Sequence, residues 1–192
     1  MVRIILDLLK IFGNYCFYIK GAKVIKFTTV NTKFGWVGLV GSEAGLIELI
    51  LPKSSREAVI SEIKEFTTDV AEDTTAFSDL SSRLQRYFIG EKVFFSDNID
   101  MNGTTNFDRA VWNATADIPY GQTRSYAWVA KRIGRPRAFR AVGGALARNP
   151  VPIIIPCHRV IASSGNLGGF GGGLVLKKRL LELEASGVPV VS

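Results

Sequence analysis

Residues 125–148 read SYAWVAKRIGRPRAFRAVGGALAR. Ser125 places a side-chain oxygen just ahead of good helix formers, so it can cap a helix running through Ile133. Gly134-Arg135-Pro136 then breaks the pattern, and a second helix runs to about Arg148. Helix, short glycine-containing turn, helix is the grammar of a helix-turn-helix. The second helix carries Gly143 and Gly144, which cost about 1 kcal/mol each relative to alanine. Such a sequence is useful where something must approach the backbone closely, either another helix or a nucleic-acid groove. In a groove, Arg140 is the side chain long enough to enter the base stack.

Upstream, Thr105 and Asp108 have capping-box spacing, and Phe107, Val111, Trp112 and Thr115 follow on one helical face, ending before Pro119-Tyr120-Gly121. The polar stretch 96–104 reads as a linker, with a domain boundary near residue 100. Before it, residues 24–30, 34–40 and 45–51 are short, rich in β-branched and aromatic residues, and separated by turn formers, which predicts an antiparallel meander. Ser54 and Glu57 mark the start of a helix near 55–66. Residues 67–78 read as a loop, and Leu80, Leu84, Tyr87 and Phe88 repeat at helical spacing up to Gly90. The expected division is an α/β unit over 1–100 and a mainly helical unit over 101–192.

Charge separates the same two parts. The chain carries a formal +7, and residues 107–160 hold nine Lys or Arg against two Asp or Glu, so that one segment accounts for the whole excess. A polyanion is the expected partner, against the plainer alternative of a solvated basic face. No uncharged apolar stretch approaches the roughly 20 residues a bilayer-spanning helix needs. Asp7 and Lys10 interrupt the apolar first residues, so no secretory signal is expected, and the protein is expected to be intracellular. A single histidine and two distant cysteines, Cys16 and Cys157, predict no metal site. Cys16 is expected to be merely buried. Neither GxGxxG nor GKS/GKT occurs, which sets nucleotide cofactors aside.

The chemistry concentrates at residues 150–161, PVPIIIPCHRVI. The apolar run reads as a strand that delivers Cys157 and His158 at its edge. A cysteine is often just a small buried hydrophobe. Here, however, the chain's one histidine adjoins it, Arg159 follows, and a glycine-rich loop comes next. A thiol reacts as its thiolate, so it needs a base or positive neighbours at neutral pH, and His158 and the basic surroundings can supply both. Neighbours on a strand point to opposite faces, so contact between the two requires a bridging water or a turn at Pro156. The imidazole would be oriented by a carboxylate, and the last helix, Leu174 to Ala185, offers Glu182 and Glu184.

The string Ile155-Pro156-Cys157-His158-Arg159-Val160 resembles the active-site signature of the O6-alkylguanine-DNA alkyltransferases, the methylated-DNA–protein-cysteine methyltransferases. Phe107, Val111-Trp112, Ile118 to Thr123 with Ser125-Tyr126, Arg140-Ala141-Val142-Gly143, Asn149-Pro150 and Leu180-Leu181 with Glu184 follow that family's order and approximate spacing. The resemblance covers residues 102–185 well. Over the first hundred residues it is loose, resting on layout and on Gln85 to Gly90. It implies a ribonuclease H-like α/β domain followed by a winged helix-turn-helix that binds the minor groove of double-stranded DNA carrying O6-alkylguanine. It also implies a cytoplasmic, nucleoid-associated monomer that needs no cofactor.

By the same resemblance, Cys157 accepts the alkyl group once and irreversibly, and Glu184, His158 and a water deprotonate it. Tyr126 assists flipping and donates to guanine N3, while Asn149 braces the turn before the active-site strand. Arg140 fills the gap left by the flipped base, with Ala141 and Gly143 against the DNA. Val160, Pro152, Leu146 and Gly171 line the base pocket, where backbone atoms of Cys157 and Val160 read the base edge. The loop 166–173 departs from many relatives in carrying Phe170 and Gly171 where they have tyrosine and serine or a bulky residue, which implies a wider pocket. Two rival readings are a thiol hydrolase, which would turn over repeatedly, and a non-catalytic helix-turn-helix protein or lesion sensor, which would lack a nucleophile.

Overall fold

The structure is a computed structural model that describes residues 25–67 and 69–186. The expectations for Cys16, the chain's first residues and Val24 fall outside these residues.

Strands β1 (Ile25–Thr32), β2 (Gly35–Ser42) and β3 (Gly45–Lys53) form the expected antiparallel meander. Gly35 sits at φ +121 in the first hairpin, and a Cβ there would lie 2.4 Å from the Lys53 carbonyl oxygen, so only glycine fits. The predicted loop 67–78 contains a fourth strand, β4 (Val70–Glu72), which pairs parallel with β1 and makes the sheet mixed, in the order β3-β2-β1-β4. Three residues are too few to show a period in the sequence.

Helix α1 (Arg56–Phe66) is capped by Ser55, whose side chain accepts from the Ala58 amide, rather than by Ser54. It packs Val59 and Ile63 on Phe27, Val40 and Ile50 across one sheet face. Helix α2 (Ser78–Phe88) lies against the other face, burying Leu80, Leu84, Tyr87 and Phe88 as their spacing predicts.

Residues 98–100 remain tied to the sheet, with Leu46 and Asn98 joined at 2.8 Å and Asp100 and Leu46 at 2.8 Å. Beyond them come α3 (Asn106–Ala116), α4 (Tyr126–Arg132), α5 (Phe139–Ala147) and α6 (Gly173–Ser186). The predicted caps are in place, Thr105 accepting from the Asp108 amide and Ser125 from the Trp128 amide. Trp112 on α3 is buried and donates its indole N–H to the Ala145 carbonyl at 2.9 Å, pinning α5. One hydrophobic core runs from Leu39 and Leu49 of the sheet through Tyr87 and Trp112 to Leu180 of α6.

The run 150–161 is not the strand its composition suggests. Pro150, Pro152 and Pro156 remove three amide donors. Ile153 adopts φ +78, a left-handed conformation rare for a β-branched residue. The chain therefore turns repeatedly, and Cys157–Arg159 form one turn of 3-10 helix. Within the run only Val160–Ile161 (β6) forms a strand, pairing parallel with β5 (Arg124–Ser125).

Candidate active site and nucleic-acid face

The 3-10 turn buries Cys157, His158 and Arg159, all three, in the core. Asn149, just after α5, explains how the turn is held. Its Nδ2 donates to the Ile155 carbonyl at 2.8 Å and to Cys157 Sγ at 3.2 Å, and its Oδ1 accepts from the Val151 amide at 3.1 Å. Burial pushes the Cys157 thiol up, against the opposing pull of the Asn149 hydrogen bond, the Lys177 charge and two backbone amides. The basic residues around Cys157 in the sequence predict an activated thiol. In the fold burial outweighs them, so a resting thiol needs a base.

Of the two glutamates on α6, Glu184 faces the site and Glu182 is exposed. Glu184 Oε1 lies 2.8 Å from His158 Nε2 and accepts from Tyr87 Oη at 2.8 Å and Arg159 Nη2 at 3.0 Å. Its Oε2 accepts from Arg159 Nε at 2.9 Å and the Gly121 amide at 3.0 Å. Burial alone would raise this carboxyl, but the bonds from His158 and Arg159 hold it at about 2. An ionised carboxylate can only accept, so His158 Nε2 carries the hydrogen. Nδ1 is then the basic nitrogen, and it is buried without a protein partner among the described residues. Burial also lowers the imidazole's basicity, with Glu184 opposing, so the ring rests neutral.

Three more buried groups have contacts here that the sequence does not assign. Arg159 reaches the Ile118 carbonyl at 2.7 Å besides gripping Glu184. Tyr87 comes from α2 of the sheet unit. Lys177 on α6 is fully buried, and its Nζ donates to the carbonyls of Val160 at 2.7 Å, Leu167 at 2.5 Å and Gly169 at 3.2 Å. Burial lowers its ammonium to about 8, while it ties the glycine-rich loop to the active-site turn.

A cavity of about 350 Å³ opens beside Cys157, lined among others by Leu146, Asn149, Pro152, Phe170 and Gly171. Val160, expected in this lining, is instead fully buried behind it with its carbonyl bonded to Lys177. A second groove, of about 480 Å³, runs between α4, α5 and the loop, lined by Tyr126, Arg140, Gly143 and Gly168 among others. Gly168 is at φ +69, and a Cβ there would come within 2.6 Å of the Tyr126 hydroxyl. Burial and the nearby Cys157 raise the Tyr126 phenol, which stays a donor at neutral pH.

On α5, Phe139, Arg140 and Ala141 are exposed, whereas Val142, Ala145 and Leu146 pack inward. A Cβ added at Gly143 would meet nothing nearer than Tyr126 Cε1 at 3.8 Å, and one at Gly144 only Arg148 Nη1 at 3.5 Å. No neighbouring backbone closes on these glycines, so helix packing does not account for them. Lys131, Arg135, Arg137 and Arg140 are exposed, and among the described residues none of them is in an ion pair. No helix among the described residues is long and apolar enough to cross a membrane.

Comparison with known proteins agrees with this geometry. The DNA-binding domain of 6-O-methylguanine DNA methyltransferases matches residues 106–186. A methylated-DNA–protein-cysteine methyltransferase of Mycobacterium tuberculosis is 42% identical over 166 residues, covering 86% of this chain and 96% of the relative. One from Methanosarcina mazei is 44% identical, covering 76% and 88%. Among solved structures, Mycobacterium tuberculosis OGT in complex with DNA superimposes with a TM-score of 0.72 at 42% identity, covering 86% of this chain and 96% of that one. That fold, a sheet unit followed by a helical DNA-binding unit, is the fold seen here. With a cysteine, histidine and glutamate assembled in one buried site, and relatives matched over nearly their whole length, the chain belongs to the methylated-DNA–protein-cysteine methyltransferase family.

Proposed function

We propose that this protein repairs alkylated DNA by moving the alkyl group of O6-alkylguanine irreversibly onto Cys157, once per molecule. The observation that carries the reading is the buried Cys157 thiol, bonded to Asn149 and backed by a histidine whose only free nitrogen is basic.

In this mechanism a water carries the Cys157 proton to His158 Nδ1, and Glu184 steadies the imidazolium. The thiolate sulfur attacks the alkyl carbon in line. The C–S bond forms as the C–O6 bond breaks, and the electron pair leaves with the purine. The Tyr126 hydroxyl, donating to N3, helps neutralise the departing guanine. A thioether has no comparable leaving group, which makes the reaction stoichiometric.

Helix α5 lies in the minor groove of double-stranded DNA, with Ala141, Gly143 and Gly144 permitting close approach. Arg140 enters the stack where the guanine was, offsetting part of the few kcal/mol that flipping costs. Leu146, Pro152 and Gly171 line the base cavity, and Asn149 holds the turn. We assign residues 101–192 as the catalytic winged helix-turn-helix domain, with β5 and β6 in the wing, and 1–100 as a ribonuclease H-like domain.

The test incubates the protein with a duplex bearing one O6-methylguanine and weighs both products. The expected result is a protein heavier by one methyl group on Cys157 and a DNA strand lighter by the same amount. An unrepaired strand and a bare sulfur under excess protein would overturn the reading.

A further inference from the structure

We infer that Tyr87, contributed by the sheet unit, is a positioning residue of the transfer relay, whose hydroxyl fixes Glu184 against His158 Nε2 and thereby keeps Nδ1 as the proton acceptor. The inference rests on reading Cys157 as the alkyl acceptor and extends it to a part of the chain far from the signature.

Tyr87 is fully buried, 71 residues before His158 and 97 before Glu184. Its ring meets Phe88, Phe95 and Tyr120 edge-on, at centroid distances of 5.4, 5.9 and 6.2 Å. Packing of that kind needs only a phenylalanine. The hydroxyl requires a different explanation, and its geometry supplies one. It lies 2.8 Å from Glu184 Oε1 and 3.3 Å from His158 Nε2, closing a triangle on the oxygen that orients the histidine.

A phenol has one hydrogen to give. Donated to Glu184, it makes a charge-assisted bond and leaves Nε2–H pointing at the same carboxylate. Turned toward Nε2 instead, it would require the opposite tautomer, with the hydrogen on Nδ1 and no base facing the thiol. The carboxylate's charge selects the first arrangement, and burial beside that charge keeps the phenol protonated.

The hydroxyl also spreads Glu184's charge over one more donor. Facing His158 are Glu184 and Lys177 from α6, Tyr87 from α2 and Arg159 from its own turn, while Tyr120 faces Glu184. Of these, Glu184 favours the imidazolium, and Arg159 and Lys177 oppose it. With the hydroxyl gone, Glu184 stabilises the imidazolium more strongly, and the histidine holds its proton to higher pH.

The chain has one histidine, so its imidazole resonances need no assignment by mutation. The experiment records long-range ¹H–¹⁵N spectra of wild type and Tyr87→Phe, with single-turnover transfer from free O6-benzylguanine between pH 5 and 9. The wild type is expected to show hydrogen on Nε2 alone. In Tyr87→Phe the acid limb of the rate profile is expected to move up by about half a unit, with a plateau reduced roughly threefold.

A wild-type spectrum with hydrogen on Nδ1 would overturn the proposal whether or not the variant folds. So would a Tyr87→Phe profile that superimposes on the wild type after normalisation, even alongside a lowered Tm, since that would leave only a packing role. Wild-type protein that never alkylates Cys157 would instead refute the repair reading on which the proposal rests.

Discussion

The protein uses its cations in two opposite ways. Along α4, α5 and the turn between them, Lys131, Arg135, Arg137 and Arg140 stand in solvent without an ion pair among the described residues. Around Cys157, Arg159 and Lys177 are buried and hydrogen-bonded, one to Glu184 and the Ile118 carbonyl, the other to three carbonyls. The exposed set keeps its charge available for a polyanion. The buried set uses its charge for geometry, fixing the carboxylate against His158 and the loop that lines the cavity. A count of basic residues treats the two alike, and only burial tells an arginine that can meet a phosphate from one that cannot. If the division is sound, lesions in the buried set should damage chemistry on any substrate, and lesions in the exposed set should damage only reactions on DNA.

The severest break is at the nucleophile itself. Cys157→Ser should abolish transfer, because the hydroxyl is far harder to deprotonate, while duplex affinity by gel shift stays within about twofold. Retained methylation elsewhere on the protein would sink the assignment. Next comes Glu184→Gln, which leaves buried Arg159 facing a neutral amide and should cost roughly 3 kcal/mol in urea unfolding at pH 7. The pH dependence has a definite sign. Glu184 ordinarily titrates at 4.5 and is held at about 2. Its contribution is therefore complete above pH 4.5 and disappears as pH falls toward 2. Wild type should lose stability across that window more steeply than Glu184→Gln, and parallel curves would show the carboxylate matters less than its five bonds imply.

Arg140→Ala probes the exposed set. It should slow repair of methylated duplex by about 10- to 100-fold, the kinetic equivalent of one to three kcal/mol of flipping support, while the rate on free O6-benzylguanine is unchanged. Equal loss on both substrates would place Arg140 with the buried set. A milder effect is expected of Arg135→Ala and Arg137→Ala, each lowering the slope of log affinity against log salt by about 1 wherever that side chain meets a phosphate.

Much of this architecture is legible in the amino-acid sequence, because caps and hydrophobic spacing are local. Thr105 and Ser125 announce their helices, and Leu80, Leu84, Tyr87 and Phe88 announce α2. Ser54 and Ser55 are adjacent and equally able to cap, which is why the start of α1 moves by one residue. The isoleucine run misleads because its β-branched composition outvotes three prolines, although those prolines forbid a ladder. Strand β4 exists only through its partner β1 and has no signal of its own. At the site, the signature carries Cys157 and His158, and the choice between Glu182 and Glu184 follows the helix face. Lys177, Leu180 and Glu184 share one buried stripe at spacings of three and four. Two ionisable residues on a core stripe are a signal of buried pairing that could have found Lys177. Nothing local could have found the Tyr87 hydroxyl, since its ring satisfies the core pattern by itself.

The smallest effect tests whether the cavity belongs with the buried machinery or with the open face. Gly171 lines the cavity beside Cys157, is exposed, and a Cβ added there would meet nothing within 4 Å. Gly171→Ser should therefore fold normally and act only by narrowing the entrance and adding a hydroxyl. A methyl group needs little of the cavity's volume and should be transferred at nearly the wild-type rate. A benzyl group must pass the new side chain, so its transfer should slow by about two- to fivefold, under 1 kcal/mol. Rates measured on both substrates separate the outcomes. A change confined to benzyl assigns position 171 to selectivity by size. Equal slowing of both would mean that the loop held by Lys177 had shifted, so that an exposed glycine answers to the buried cation after all.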